Sequence, residues 1–450
     1  MLKTPGVLSD ELLSKYHTVV NSDPLVRMAR NAVTKTALPE VAINRDVVAG
    51  TDFTFSHTTK VGTITNQMAS GRCWMFAALN TMRVRAMKKM NLANFELSQS
   101  YPFFFDKLEK ANYFLENIIE TRDEHIHSRI VMWLLAGPLS DGGQWDMFAN
   151  LIKRYGAVPK TVMPESFNSS NSGHVNYYVT LKLREDAKIL RQMHRKGASV
   201  FQLRARKEDM MSEIYRMLVV YFGEPPKQFS WQYRDKKDKF HREPKPMTSQ
   251  SFYKEYVNID MDDMASLINC PTSDKPYNKM YTVKYLGNVR GGDIVRYLNV
   301  DIETIKEAAI KAIKAGQPVW FGCDVGKMLQ RDIGIMDTKM FELDKLLGTR
   351  FGMDKAERVD YGDSLMTHAM VFTGVNLVNG KPTKWKVENS WSDKVGDKGF
   401  FVMSDDWFNE YMYQVVVSKK YLSPKLINIY KEKPVVLNPW DPMGSLAIMR

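Results

Sequence analysis

Cysteine is scarce in this sequence of 450 residues. The three cysteines, Cys73, Cys270 and Cys323, are far apart and too few to form a disulfide framework. This excludes the class of small secreted domains that disulfides hold together. We therefore expect a protein of a reducing compartment, the cytoplasm.

Long apolar runs are absent as well. No stretch approaches the roughly 18 uninterrupted apolar residues that a membrane-spanning helix needs. The first residues, MLKTPGVLSDELLSKY, contain no apolar core of signal-peptide length. We expect a soluble, unexported protein without a membrane partner.

Binding motifs for metals and cofactors are also missing. The sequence contains no phosphate-binding loop, no zinc pattern of cysteine and histidine, and no dinucleotide fingerprint. His125 and His127 form an isolated pair, which is more typical of an exposed surface than of a metal site. The sequence therefore predicts neither a metal nor a cofactor.

Acidic residues are outnumbered by basic ones, and the formal net charge is +12. Because clustered Lys and Arg release counterions from a polyanion, this excess raises non-specific nucleic-acid binding as an alternative function. The most densely charged stretch, YRDKKDKFHREPKP at 233–246, interleaves acids with bases. Such a pattern is more typical of a solvated loop or strand than of a nucleic-acid-binding stripe.

Apolar residues make up 44% of the chain, enough for a large buried core. They recur at helical spacing early in the chain, whereas the last third contains β-rich runs such as HAMVFTGVNLV and YQVVVS. This segregation predicts an α+β fold with two facing lobes.

We divide the chain into five segments. They are an N-terminal extension packing over the body (1–60), a helical lobe (61–165), an inserted helical module (166–300), a β-rich lobe (301–430) and a C-terminal arm (431–450). The prolines of the arm predict that it is extended.

The segment NQMASGRCWMFAALN, residues 66–80, places Cys73 at the start of a predicted helix. A helix N-terminus lowers the pKa of a cysteine, because the unpaired N–H groups and the helix dipole favour the thiolate. Ser70 and Gly71 supply a polar start that permits a close approach. The sequence thus favours Cys73 as a nucleophile. The alternative is a core thiol, since free cysteine is among the most buried residue types.

A nucleophilic thiol needs a base, and histidine is the usual one. Among eight histidines, His368 lies at the head of an apolar strand, THAMVFTG, where packing would hold its ring. Asn389 lies 21 residues later in another apolar strand and offers an amide to orient an imidazole. The alternative is that His368 and Asn389 only fill the core.

The residues around Cys73 resemble the papain superfamily of cysteine peptidases. The nucleophile of that family lies in the pattern Cys-Gly-Ser/Ala-Cys-Trp/Tyr. The segment here is SGRCW at 70–74, with Gln67 six positions before the cysteine. The interval from Cys73 to His368 is 295 residues, whereas the papain-type interval is about 130 to 150. The resemblance therefore implies an insertion, for which the 166–300 module is the candidate.

Stretches along most of the chain resemble the branch that contains bleomycin hydrolase and the bacterial aminopeptidase C. In order, they are SGRCWMF, FELSQSYPFFFDKLEKANYFLE, DGGQWDMF, YLGNVRGGD, SLMTHAM, VENSW and PWDPMGSLA. The resemblance implies a papain-like two-lobed fold whose inserted module forms a hook. It also implies a cytosolic cysteine aminopeptidase that assembles as a homohexamer.

The resemblance further implies roles for individual residues. Cys73 and His368 would form a thiolate and imidazolium pair, and Asn389 would orient the imidazole. Gln67 and the backbone N–H of Cys73 would donate to the developing oxyanion. Trp391 would shield the contact between His368 and Asn389 from water.

Two glycines and one serine complete the comparison with the family. Gly142 and Gly143 would line the substrate backbone, where a side chain would block the approach. The alternative is an ordinary turn. Ser392 ends an NSWS segment where the family usually has NSWG, so it either tightens that turn or imposes another backbone conformation.

The C-terminal arm is implied to lie in the cleft, where its terminal carboxylate would bind the free α-amino group of a peptide substrate. Three residues follow Ala447, and we expect trimming near Ala447 to create that carboxylate. The alternative for the arm is a disordered tail. For the whole protein, the alternatives are a papain-like endopeptidase and a nucleic-acid-binding oligomer.

Overall fold

The structure, a computed structural model, describes residues 6–447 of the chain. Within this range, no helix is both long and apolar enough to cross a membrane. The chain begins with four short helices: α1 (Asp10–Ser22), α2 (Pro24–Val33), α3 (Leu38–Ala42) and α4 (Arg45–Gly50). Ser9 and Asp23 cap the first two, and Pro24 occupies the first position of α2. Neither α1 nor α2 contains a buried residue.

A short strand and four helices follow: β1 (His57–Thr58), α5 (Cys73–Lys89), α6 (Ser100–Glu120), α7 (Arg129–Ala136) and α8 (Trp145–Tyr155). Twelve of the 17 residues of α5 are buried. A helix with most of its residues buried must be enclosed by other elements. Accordingly, α5 packs against α8 on one side and against the main sheet on the other.

The predicted module begins with three helices, α9 (Phe167–Ser170), α10 (Gly173–Arg195) and α11 (Val200–Phe222). Both long helices pack on α6. A two-stranded sheet and a short helix come next: β2 (Gln232–Arg234), β3 (Phe240–Arg242) and α12 (Ser249–Phe252). A π-helical turn at Tyr253–Val257 and a 3₁₀ turn at Met261–Asp263 lead into the main sheet.

The remaining elements form the sheet and its cover. The strands are β4 (Met264–Ile268), β5 (Lys279–Val283), β6 (Tyr297–Asn299), β7 (Val319–Cys323), β8 (Leu329–Gln330), β9 (Ile335–Met336), β10 (His368–Val378), β11 (Lys381–Glu388), β12 (Phe400–Ser404), β13 (Met412–Ser418) and β14 (Val435–Leu437). The helices are α13 (Ile302–Lys314), α14 (Leu343–Leu347), α15 (Lys355–Asp360), α16 (Asp405–Tyr411) and α17 (Pro424–Tyr430), with 3₁₀ turns at Lys419–Tyr421 and Pro442–Ala447.

The strands form one mixed sheet. Its order is β14-β5-β6-β4-β13-β7-β10-β11-β12-β9-β8, with β1 paired to β10. Helices therefore dominate the first half and strands the second, and the predicted α+β fold is confirmed. The division into five segments stays a prediction. Three strands of the main sheet, β4 to β6, come from the 166–300 stretch.

The central strand β10 has two buried faces. Its alternate residues Met370 and Phe372 pack in the core of the β-rich half, whereas Ala369 and Val371 belong to the core shared with α5. α5 packs directly on β10, and each of the two elements begins at a residue of the predicted site. These two residues are Cys73 and His368.

The C-terminal arm differs in part from the expectation. Val435–Leu437 is extended and pairs with β5, but Pro442–Ala447 forms a 3₁₀ helix, so the extended prediction is wrong there. Proline suits the first position of a helical turn because its φ is fixed near −65°. The Asp441 carboxylate also accepts from the backbone N–H of Met443 at 3.0 Å. Ile448–Arg450 lie outside the described residues.

Candidate active site

Cys73 is the first residue of α5 and is 5% exposed. The backbone N–H groups of Cys73 itself, Trp74 and Ala369 lie near the thiol and favour its thiolate form. The first two belong to the helix N-terminus, where donors are unpaired. The third belongs to the residue that follows His368. The thiol therefore lies at the junction of α5 and β10.

His368 is held from two sides. Its Nε2 lies 2.9 Å from Oδ1 of Asn389, and its ring centroid lies 4.8 Å from that of Trp391. The Asn389 oxygen also accepts from the backbone N–H of Ser390 at 2.8 Å. Because an oxygen accepts and does not donate, His368 carries a proton on Nε2, which leaves Nδ1 as the nitrogen free to exchange a proton.

Gln67 joins the two halves of the site. Its Nε2 donates to the carbonyl oxygen of Ser70 at 2.7 Å, and its Oε1 accepts from the Ser390 hydroxyl at 2.9 Å. Its backbone N–H donates to the Ser390 carbonyl at 3.0 Å. Since Ser390 follows Asn389, these bonds connect the segment before Cys73 to the residue that holds His368. An amide nitrogen carries two N–H donors, so Gln67 keeps a second one beside the bond to Ser70.

Burial disfavours the charged forms of both Cys73 and His368. It raises the pKa of the Cys73 thiol to about 11 and lowers the pKa of His368 to about 4, although the bond to Asn389 acts the other way on the histidine. Each group alone is thus neutral near pH 7. A thiolate and an imidazolium become favourable there only as a pair, because each charge then stabilises the other.

The two predicted substrate glycines have different neighbours. A Cβ on Gly142 would lie 2.3 Å from the carbonyl oxygen of Leu446 and 3.1 Å from Cα of Ala447. A Cβ on Gly143 would lie 2.5 Å from the indole ring of Trp74. Gly142 therefore faces the C-terminal arm, and Gly143 makes room for a core side chain. Their role toward substrate stays a prediction.

The arm is anchored along its length. Asp441 pairs with Lys275 at 3.3 Å, and the Ser445 hydroxyl donates to the Met366 carbonyl at 2.9 Å. At the end, the Ser140 hydroxyl donates to the Ala447 carbonyl at 2.8 Å. The arm residues Met443, Leu446 and Ala447 are buried in the same apolar cluster as Cys73.

Ser392 adopts the backbone conformation that glycine favours, with a φ of 76°. Its backbone N–H donates to the Thr65 carbonyl at 3.3 Å, and its hydroxyl accepts from the backbone N–H of Lys394 at 3.2 Å. Serine thus keeps the left-handed turn beside Trp391, and the hydroxyl bond offsets part of the strain.

Comparison with known proteins identifies the family. The model of the Peptidase C1-like family matches residues 7–444. The chain belongs to this family. Aminopeptidase C of Listeria monocytogenes is 49% identical over 428 residues, which cover 95% of this chain and 96% of that protein. Bleomycin hydrolase of Gallus gallus is 42% identical and covers 98% of this chain and 99% of its own.

A solved structure agrees with this membership. The crystal structure of PepW from Lactobacillus rhamnosis has a TM-score of 0.96 and 50% identity, and the match covers 98% of this chain and 99% of that one. The predictions of the family, of a papain-like fold and of a cysteine-type aminopeptidase are confirmed. The roles of the individual site residues stay predictions.

Sequence reasoning missed one residue at the centre of this Peptidase C1-like site. Asp141 is buried, and its carboxylate accepts from the backbone N–H of Gly71 at 2.8 Å and from Nζ of Lys107 at 2.6 Å. Burial alone would raise the pKa of Asp141, but the Lys107 ammonium and these hydrogen bonds hold it well below its usual value. Its position before the glycine pair in DGGQW was the only available signal.

Within residues 6–447, no group of three or more His, Cys, Asp or Glu side chains could hold a metal ion.

Proposed function

We propose that the chain is a cytoplasmic aminopeptidase that removes N-terminal residues from peptides through Cys73 and His368. One observation supports this proposal: Cys73 begins α5 near the backbone N–H of Ala369, which directly follows His368, and His368 is hydrogen-bonded to Asn389. In the proposed reaction these residues supply a nucleophile, a base and an orienting amide.

The reaction begins when the Cys73 proton passes to Nδ1 of His368. The thiolate attacks the carbonyl carbon, a C–S bond forms, and the carbonyl oxygen becomes an oxyanion. The free N–H of Gln67 and the backbone N–H of Cys73 donate to this oxyanion, each contributing on the order of 3 kcal/mol.

The imidazolium then protonates the departing amine and the C–N bond breaks, which leaves a thioester on Cys73. Water attacks the thioester while His368 accepts its proton. The C–S bond breaks, the amino acid leaves as the free acid, and the thiolate and imidazolium pair is restored. Asn389 keeps its bond to Nε2 throughout, so the ring stays turned toward the sulfur.

The arm supports a restriction to free amino ends. Its last described residues, Leu446 and Ala447, rest on Gly142 in the cluster that contains Cys73, where a longer N-terminal extension of a substrate would collide with them. Cleavage after Ala447 would leave a carboxylate at the Ser140 hydroxyl, available to bind an α-ammonium group. Trimming concerns Ile448–Arg450, which lie outside the described residues.

Paired fluorogenic substrates test the proposal. We expect a free aminoacyl amide to be hydrolysed and the same amide with a blocked amine to be resistant. Cys73→Ala should abolish turnover, whereas the matched buried-thiol variant Cys270→Ala should retain it. Hydrolysis by Cys73→Ala would refute the assignment of the nucleophile.

A second variant separates exopeptidase from endopeptidase. A chain that ends at Pro439 lacks the 3₁₀ turn of the arm and should hydrolyse the blocked substrate at least ~10-fold faster than the full chain does. If the full chain cleaves blocked and free substrates equally well, it is an endopeptidase and the role of the arm is wrong. Mass spectrometry of the purified full chain shows whether the residues after Ala447 are removed.

A further inference from the structure

Ser140, Asp141 and Gly142 form a short segment that contacts the loop before the nucleophile. The Asp141 carboxylate accepts from the backbone N–H of Gly71 at 2.8 Å, and the Asp141 carbonyl accepts from the indole N–H of Trp74 at 2.7 Å. Gly71 and Trp74 lie on either side of Cys73 in the sequence. Asp141 thus accepts hydrogen bonds from the chain both before and after Cys73.

The same segment contacts the end of the arm. Ser140 donates its hydroxyl to the Ala447 carbonyl at 2.8 Å. Gly142 lies so close to Leu446 and Ala447 that a Cβ would overlap the backbone of the arm. The nucleophile loop, residues 67–73, and the end of the arm therefore both contact the same three consecutive residues.

Two buried lysines of α6 fix this segment by hydrogen bonds. Lys107 donates to the Asp141 carboxylate at 2.6 Å and to the Ser140 carbonyl at 2.9 Å. Lys110 donates to the Gly142 carbonyl at 2.6 Å. The side chains of Lys107 and Asp141 are 0% and 4% exposed, so water cannot replace either partner and the segment has one well-defined position.

The contact with Gly71 extends to the oxyanion donor. Gly71 follows Ser70, whose carbonyl accepts from Nε2 of Gln67 at 2.7 Å. A shift of Gly71 would therefore move Ser70 and turn the Gln67 amide. Displacing such a donor by about 1 Å can lower the reaction rate on the order of 100-fold.

We propose that Asp141 is a positioning residue. It fixes the position of the nucleophile loop relative to the end of the arm. Turnover and selectivity for free amino ends then depend on the same carboxylate. This inference rests on the proposed function.

The test compares Asp141→Asn with the wild-type protein on the free and blocked substrates. Asparagine keeps the size of the side chain, but its NH₂ group must face either the Lys107 ammonium or the Gly71 N–H, because these donors bind different oxygens of Asp141. We expect kcat on the free substrate to fall roughly 10- to 100-fold with a smaller change in KM. We also expect the ratio of free to blocked hydrolysis to fall at least ~5-fold.

Glu116→Gln is the matched control. Glu116 is a buried acid of α6, the helix that carries Lys107; its side chain is 4% exposed and pairs with Arg204 and Lys207 of α11. Its substitution should lower thermal stability but leave kcat and the substrate ratio unchanged. If Asp141→Asn behaves like Glu116→Gln, the residue is only structural and the inference is overturned.

Ser140→Ala keeps the inference testable if Asp141→Asn fails to fold. This variant removes the bond to Ala447 but leaves Asp141 in place, so the ratio of free to blocked hydrolysis should fall while the rate of Cys73 alkylation by iodoacetamide stays at the wild-type value. An unchanged ratio would overturn the link to the arm. Activity of Cys73→Ala would instead defeat the proposed function itself, so the two failures are distinguishable.

Discussion

Single atoms decide the chemistry that we propose for His368. Its Nε2 faces an oxygen of Asn389 at 2.9 Å, and this contact selects the tautomer in which Nδ1 is free. The imidazole is 5% exposed, so water cannot take the place of that oxygen. An N–H group that is buried without an acceptor costs about 1 to 3 kcal/mol.

Asn389→Ala should therefore lower kcat/KM on the free substrate by roughly 5- to 150-fold, the kinetic equivalent of that cost. The loss should appear mainly in kcat, because Asn389 acts on the base and not on the substrate. Steady-state kinetics at pH 7 measures both parameters.

Asn150→Ala provides the control for this prediction. Asn150 is also a buried asparagine, and its amide donates to the Asp293 carbonyl at 2.8 Å and accepts from the Asp293 backbone N–H at 2.9 Å. Its loss should reduce stability and leave kcat/KM near the wild-type value. Equal kinetic losses in both variants would show that Asn389 matters only for folding.

At this scale, the sequence predicts residues whose chemistry is rare and whose order along the chain is informative. Cys73, His368, Asn389 and Gln67 were such residues. The structure joins His368 to Asn389, and Gln67 to Ser390 beside it, while the role of each residue stays a prediction. Asp141 could not be predicted, because its importance comes from partners at 70 and 34 positions away, Gly71 and Lys107.

Between elements, α5 and β11 are tied by a buried ion pair. Arg83 donates to Glu388 at 2.6 Å and to the Thr63 carbonyl at 2.8 Å. Burial raises the pKa of Glu388 to about 6, although Arg83 acts against the shift. Desolvation therefore outweighs the attraction, as is common for buried pairs.

The sign of this shift gives a prediction of pH dependence. Between pH 4.5 and 6 the folded protein binds the Glu388 proton more tightly than the unfolded chain does, so stability rises as pH falls through this window. Relative to Glu388→Gln, the wild-type protein should gain up to ~2 kcal/mol of unfolding free energy between pH 7 and pH 4.5. Urea denaturation of both proteins at the two pH values measures the difference.

The control for this prediction is Glu255→Gln. Glu255 pairs with Lys89, also of α5, but its side chain is 52% exposed, so its ion pair is solvated. The pH dependence of Glu255→Gln should match that of the wild-type protein. A Glu388→Gln variant with the same pH dependence as the wild type would contradict the prediction.

Elements themselves were largely predictable, but their partners were not. Apolar periodicity predicted the helix around 70–90 and the strand that begins at His368, and the structure has α5 at Cys73–Lys89 and β10 at His368–Val378. Strand pairing depends on distant residues: β4 lies next to β13, which is more than 140 positions away. For this reason the sequence did not assign β4 to the main sheet.

At the scale of the molecule, the exposed apolar side chains of residues 6–447 include two groups that each lie on one helix. One lies on α1, where Leu12, Tyr16 and Val19 are 39%, 49% and 61% exposed. The other lies on α10, where Tyr177 and Leu181 are 64% and 55% exposed. Apolar surfaces of this kind mark interfaces, and two different surfaces on one chain suit contacts between copies. The homohexamer stays a prediction, and we propose that these two groups lie in its contacts.

Changing the α10 surface should therefore reduce the size of the assembly. Tyr177→Ser combined with Leu181→Lys removes apolar area and adds a charge that would be buried in a contact. We expect light scattering after gel filtration to give a mass of several chains for the wild type and a smaller mass for this double variant.

The control is Val378→Lys. Val378 is 53% exposed at the end of β10 and lies outside both surfaces, so this variant should keep the wild-type mass. A wild-type protein with the mass of one 51.9 kDa chain at micromolar concentration would refute the hexamer, and an unchanged mass in the double variant would exclude α10 from the interface.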